Sequence, residues 1–234
     1  MIRNRLNDQL HMMSFTEIME ESLRATEAGH SRLTEDEFYL RGMSGRKGRM
    51  LLNNICSYPG IRYLEIGCWR GSTLCCALKG NSVEAVAVDN FSEFAEPFKH
   101  PIFKESPSEE RQTSRGEFYC NLAKYDNGHV TVLEGDCFDP AIIAQMGVSN
   151  LYFYDAGHSP EEHERAFTEM GPALAREFIA IVDDYGWEFV RSGTCQGIEK
   201  AGYKILFDIE LGMDAEEDPD GWWRGWRVLV LQKP

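Results

Sequence analysis

An α/β fold on one mostly parallel sheet is what this sequence predicts, and three observations carry the prediction. From residue 61 onward, short β-branched or aromatic runs alternate with stretches of helical periodicity. Strands joined by helices of that length make right-handed crossovers, and so a parallel sheet covered on both faces. The last two apolar runs have only a loop between them, which predicts an antiparallel pair at one edge. At 234 residues the chain is long enough to bury such a core in one large domain.

In chain order, the first 58 residues read as helices without strands, over 14–28 and 45–57. Residues 1–58 are therefore assigned as a helical extension, either a cap or a dimerisation element, and residues 59–234 as the main domain. Strands follow at 62–68 (RYLEIGC), 83–89 (VEAVAVD), 130–136 (VTVLEGD), 150–156 (NLYFYDA) and 178–184 (FIAIVDD). Each leads into a predicted helix, at 71–79, 107–125, 139–146, 160–175 and 187–201. Residues 203–211 and 226–233 complete a seven-stranded sheet whose last strand is antiparallel. Two connections, 90–106 and 212–225, are long and aromatic, as lids and binding loops are. Phe91, Phe94, Phe98 and Phe103 mark the first of them as a segment expected to order over a bound ligand.

Composition removes several classes. No apolar run approaches the roughly 20 residues of a membrane span, and the amino terminus has no continuous apolar core of a secretory signal, so the chain reads as cytoplasmic with no membrane partner. The seven cysteines never fall as CxxC, which indicates reduced thiols rather than a zinc site or disulfide frame. A formal charge of -14 repels phosphate backbones, so nucleic acid is disfavoured as a partner. The chain is compatible with a homo-oligomer.

The chemistry gathers at strand ends. In LEIGCWRGST (64–73), Gly67 and Gly71 frame a turn from strand to helix, where glycine permits positive φ and close backbone approach to a ligand. The spacing is G-x-x-x-G and not the pyrophosphate-binding G-x-G-x-x-G, so a neutral or zwitterionic nucleoside fits better than NAD. Asp89 ends the second strand, placed to accept both hydroxyl protons of a ribose. Gly135 and Asp136 end the third on the same edge of the sheet.

These motifs resemble the class I S-adenosylmethionine-dependent methyltransferases, whose Rossmann-like seven-stranded fold would span residues 61–233. LEIGCWRGST is similar to that family's E-x-G-x-x-x-G-x-S motif, AVDNF to its ribose-binding strand end and EGDCFD to its adenine-contacting turn. The resemblance implies that Glu65, Gly67, Gly71 and Ser72 shape the methionine end of the cofactor site, that Asp89 holds the ribose, and that Asp136 with the Cys137 backbone meets the adenine.

The fourth strand ends in DAGHSPEE (155–162) and the fifth in Asp183 and Asp184. Parallel neighbours bring Asp155, Asp183 and Asp184 to one cleft, and three uncompensated acids call for a cation of the hard, oxygen-liganded kind, Mg²⁺ or another divalent ion. The same spacing resembles the metal-dependent O-methyltransferases of the catechol and macrocin types. That likeness implies metal ligation by all three acids and a base at His158, though Ala156 and Pro160 depart from the macrocin pattern. An imidazole near its ordinary pKa serves as a base at neutral pH, and Asp155 is the other candidate.

Ser159, Pro160 and Glu162 form a helix start independent of function. His163 is read as a surface residue, and Lys104, Arg111 and Arg115 as solvated charges. Trp222, Trp223 and Trp226 read either as core or as a cover for a substrate ring.

The expected activity is metal-assisted O-methylation of a small-molecule hydroxyl on a sugar or aromatic compound. The alternatives are a metal-independent N- or O-methyltransferase that uses His158, and a non-catalytic nucleoside-binding protein on the same fold.

Overall fold

A computed structural model describes residues 13–92, 113–213 and 217–234. The expected lid residues Phe94, Phe98 and Phe103, with Lys104 and Arg111, lie outside these described residues.

Three helices open the chain: α1 (Phe15–Glu27), the one-turn α2 (Glu35–Phe38) and α3 (Arg46–Ile55). Ser14 starts α1 with a reciprocal capping box to Glu17. Strands and helices then alternate: β1 (Arg62–Ile66), α4 (Ser72–Leu78), β2 (Glu84–Asp89), α5 (Ser114–Tyr125), β3 (Val130–Glu134), α6 (Pro140–Ile143), β4 (Ser149–Tyr154), α7 (Pro160–Thr168), β5 (Leu174–Val182) and α8 (Glu188–Ala201). β6 (Lys204–Leu211) and β7 (Trp226–Gln232) close the chain.

The sheet order is β3-β2-β1-β4-β5-β7-β6. Strands β1 to β5 pair in parallel, while β7 runs antiparallel between β5 and β6. The closing hairpin therefore inserts its second strand into the sheet and leaves β6 at the edge. The sequences agree: β7 is WRVLVLQ and buried over six residues, whereas most of β6 is exposed or half-exposed.

Alternation along each strand divides the core in two. Tyr63, Ala85, Ala87, Leu151, Phe153, Ile179, Ile181, Val228 and Val230 face one side, where Ile18, Met19, Leu51, Leu52 and Ile55 of the opening helices join them. Leu64, Ile66, Val88, Tyr152, Tyr154, Ala180, Val182, Leu229 and Leu231 face the other, against Phe167 of α7 and Val190 and Ile198 of α8. With both faces covered, the central strands are near-continuous apolar runs rather than half-polar ones. Trp222, Trp223 and Trp226 are all buried, with Trp226 tilted against Phe153 at 5.1 Å between ring centroids.

Several boundaries differ from the sequence reading, β5 among them, which starts at Leu174 rather than 178. The helix expected to run to 175 ends at Thr168, because Gly171 and Pro172 break it into a 3₁₀ turn and Leu174 already pairs with Ser149 of β4. The helix expected over 139–146 keeps only Pro140–Ile143 as α-helix.

Candidate active site

Backbone bonds set the strand ends level with one another. Gly67 donates to Val88, Gly135 to Asp89, Asp155 to Ile66 and Asp183 to Tyr154, each across neighbouring strands. The chain order reverses between β1 and β4, and in open α/β sheets ligands bind at the carboxyl edge beside that reversal. A cavity of about 420 Å³ opens there, the size of a nucleoside-type ligand site. Gly67, Ser72, Asp89, Asp136, Cys137, Asp155 and His158 all line it. Glu65 and Gly71 stand behind it, and Asp183 and Asp184 are not among its lining residues.

Gly67 sits at φ +86°, and a Cβ there would overlap the carbonyl of Asp155, so only glycine lets the ends of β1 and β4 meet this closely. Glu65 is fully buried one step earlier and accepts hydrogen bonds from the Tyr63 hydroxyl at 2.5 Å and the Thr73 hydroxyl at 2.7 Å. Burial pushes its carboxyl up to about 7, with Asp89 adding to the rise. Glu65 thus ties β1 to the first turn of α4 from behind the cavity.

Asp89 is more heavily engaged than the sequence suggests. Its Oδ2 accepts the backbone N–H groups of Cys68 at 2.7 Å and Trp69 at 2.6 Å, and its Oδ1 accepts that of Phe91 at 2.6 Å. A carboxylate has about four acceptor positions, so about one remains for a ligand hydroxyl rather than the two expected. Its first task is to fold the β1–α4 turn. Asp136 is exposed at the far wall, where its Oδ1 accepts the Phe138 N–H at 2.9 Å. The neighbouring Cys137 thiol is pushed up to about 12, by burial first and then by Asp136, so it is inert.

Asp155, Asp183 and Asp184 do come together, but they do not form the chelate that the sequence predicts. Among the described residues, no group of three or more His, Cys, Asp or Glu is placed to hold a metal ion. The reason is how each acid is engaged. Burial first holds the carboxyls of Asp155 and Asp183 well above the ordinary range, with repulsion from Asp183 and Asp184 adding to the rise at Asp155 and repulsion from Asp184 adding to it at Asp183. Asp184, at φ +52°, turns the other way and puts its Oδ2 3.5 Å from His158 Nε2.

His158 is half-buried, and burial lowers its pKa despite the opposing pull of Asp184. Its Nδ1 is shielded from solvent with no hydrogen-bond partner. The ring lies edge-on to Trp187 at 5.5 Å and stacks at 6.1 Å on His163. His163, expected at the surface, is instead fully buried, and burial, with His158 second, lowers its pKa to about 3. The signal lay in the helix period, since positions 163, 166, 167 and 170 form one buried stripe. Ser159 and Glu162 form the expected capping box. Arg115 pairs with Glu134 on the surface, as a solvated charge does.

Sequence reasoning missed the walls of the cavity supplied by Met43, Ser44, Trp69 and Phe138. Trp69, Phe91 and Asp184 each follow a strand end and each take positive φ, a conformation that costs a side-chain-bearing residue on the order of 1–3 kcal/mol and clusters at functional sites.

Residues 64–185 match a family described as a methyltransferase domain. No curated protein matches the chain in sequence. Among solved structures, it is similar to the O-methyltransferase from Bacillus cereus in complex with SAH, at 14% identity and a TM-score of 0.54, with 96% of this chain and 94% of that one covered. It is also similar to a candidate SAM-dependent methyltransferase from Streptococcus mutans, at 14% identity and a TM-score of 0.52, with 80% of this chain and 48% of that one covered. The chain thus spans about half the length of the S. mutans protein. A third likeness is to PH1948 from Pyrococcus horikoshii, a candidate RNA methyltransferase, at 11% identity and a TM-score of 0.50, covering 95% and 99%. At these identities the likeness is one of fold, and the acceptors named for those proteins differ.

Proposed function

The chain belongs to the methyltransferase domain family, and we propose that it transfers the methyl group of S-adenosylmethionine to a hydroxyl of a small molecule, with His158 as the base. On this reading residues 59–234 are the catalytic domain and 1–58 its helical extension. The observation that carries it is a single cavity that joins the Gly67 turn, Asp89 and Asp136 on one side to His158 on the other.

Bound S-adenosylmethionine supplies an electrophilic methyl group on a sulfonium. Gly67 and Ser72 border its methionine end, Asp89 accepts one ribose hydroxyl, and Asp136 with the Cys137 backbone borders the adenine. His158 lines the cavity as the base for the substrate proton, and Asp184, 3.5 Å from its Nε2, steadies the imidazolium that results. Holding the acceptor in line is the larger contribution, since effective molarities of ~10⁵ M or more come from positioning. The net charge of -14 supports a small-molecule acceptor over a nucleic acid.

Cation-assisted O-methylation is the second reading, favoured by one observation: Asp183 Oδ1 is buried beside two further acids with no donor in hydrogen-bond geometry. The test is turnover of S-adenosylmethionine on a panel of catechols, amines and sugar hydroxyls, with and without EDTA. Turnover that survives EDTA and fails in His158→Ala supports the first reading. Turnover lost to EDTA and restored by Mg²⁺ supports the second, and SAH binding without any turnover indicates a binding protein.

A further inference from the structure

Arg49 is almost wholly buried in α3, and its hydrogen-bond partners include no carboxylate. Its position is costly twice over, since a buried guanidinium loses its hydration and the amino-terminal turn of a helix already carries positive potential. Filling the same space with a methionine or leucine would avoid both costs. What the guanidinium provides is a planar fork of donors, and every tine is used. Nε donates to Ser44 Oγ at 3.0 Å, Nη1 to the carbonyls of Glu37, Phe38 and Leu40 at 3.0, 3.3 and 2.9 Å, and Nη2 to that of Gly42 at 3.3 Å.

All five acceptors lie on one stretch, residues 37–44, and that stretch leads straight to the cavity. Ser44, held through its hydroxyl, lines the cavity together with Met43. Gly42, held through its carbonyl, lies so close to Ser72 that a Cβ would overlap the serine Oγ, and Ser72 is itself a lining residue from the LEIGCWRGST turn. Gly45 is pressed as tightly against the backbone of Gly221, and Gly48 against the Trp226 ring at 2.6 Å from where its Cβ would stand. The stretch is thus held against α4 at Gly42, and the residues that follow it are held against the loop before β7 at Gly45 and against the core at Gly48.

We infer that Arg49 is a positioning residue of the transfer site, fastening residues 37–44 so that Met43 and Ser44 form one wall of the ligand cavity. The segment ahead of β1 is then part of the site and sets which ligands fit it. This rests on the assignment of the cavity to S-adenosylmethionine.

The test uses the full chain and SAH as the probe, with affinity measured by calorimetry and folding by thermal unfolding. Arg49→Met should weaken SAH binding by roughly tenfold or more, about the loss of one good contact. Arg49→Lys, which keeps the charge but not the fork, should fall between Arg49→Met and wild type. A purely structural arginine would lower the melting temperature and leave the affinity of the folded fraction unchanged, and that result overturns the inference. Met43→Trp gives an independent arm should the Arg49 variants fail to fold, because it enlarges the wall without touching the fork. It should also weaken SAH, and wild-type affinity in this variant overturns the inference as well. Failure of the wild-type chain to bind SAH refutes the cavity assignment and the wall together, whereas equal binding by wild type and variants refutes the wall alone.

Discussion

Replacing His163 by glutamine should remove a specific part of the acid sensitivity of this fold. The imidazole is fully buried, and its pKa falls from the ordinary 6.5 to about 3, through burial first and His158 second. A folded value below the unfolded one means that the unfolded chain binds a proton that the native chain refuses. The contribution is therefore absent above pH 6.5 and grows as a penalty while pH falls toward the folded value. At pH 5 the unfolded imidazole is almost entirely protonated and the native one almost entirely neutral, which costs about 2 kcal/mol relative to pH 8. Because pH 5 lies well above the folded value, that figure depends almost wholly on the unfolded pKa. The assay is urea unfolding of wild type and His163→Gln at both pH values. Wild type should lose about 2 kcal/mol more than the variant over the interval, whatever the other groups contribute to both. Equal losses would mean that the native imidazole takes up its proton freely, and would refute the burial on which the stack beneath His158 depends.

The other predictions concern the site directly. Asp89→Ala should lower both thermal stability and SAH affinity, because three backbone N–H groups lose a charged acceptor, each bond worth about 1.5–3 kcal/mol; an unchanged melting temperature would show that the β1–α4 turn does not need it. His158→Ala should reduce turnover by ~10²–10⁴ while SAH affinity persists, and the wild-type rate should keep its acidic inflection below the ordinary imidazole value, since burial favours the neutral ring.

The fold was legible because its signals are local and repeated. Each central strand is a run of apolar residues ended by a glycine or an acid, and five such runs with helical connections, followed by a closing pair, admit few topologies. The misplaced boundary before β5 has an equally local cause, since helical periodicity continues through Met170 while Gly171 and Pro172 have already ended the helix. The same locality explains why the acids at the ends of β2, β3, β4 and β5 could be picked out in advance: the carboxyl edge of a parallel sheet gathers whatever ends its strands.

Where those acids direct their oxygens is a different matter, because it depends on groups far away in sequence or on a single dihedral. The letters give Asp89 as a free acceptor, yet the backbone 20 and 21 residues earlier claims one of its oxygens. Asp183 and Asp184 are adjacent in the chain, but the positive φ of Asp184 sends one carboxyl to Asp155 and the other to His158. A strict chelate would need all three acids to turn inward, and Asp184 is turned to a histidine partner instead. The opening helices carry the same lesson, since nothing in GMSGRKGR announces a cavity wall until Arg49 is seen reaching back along its own chain. The chemistry of this site is thus set by residue type at the strand ends, and its geometry by contacts that only the folded chain creates.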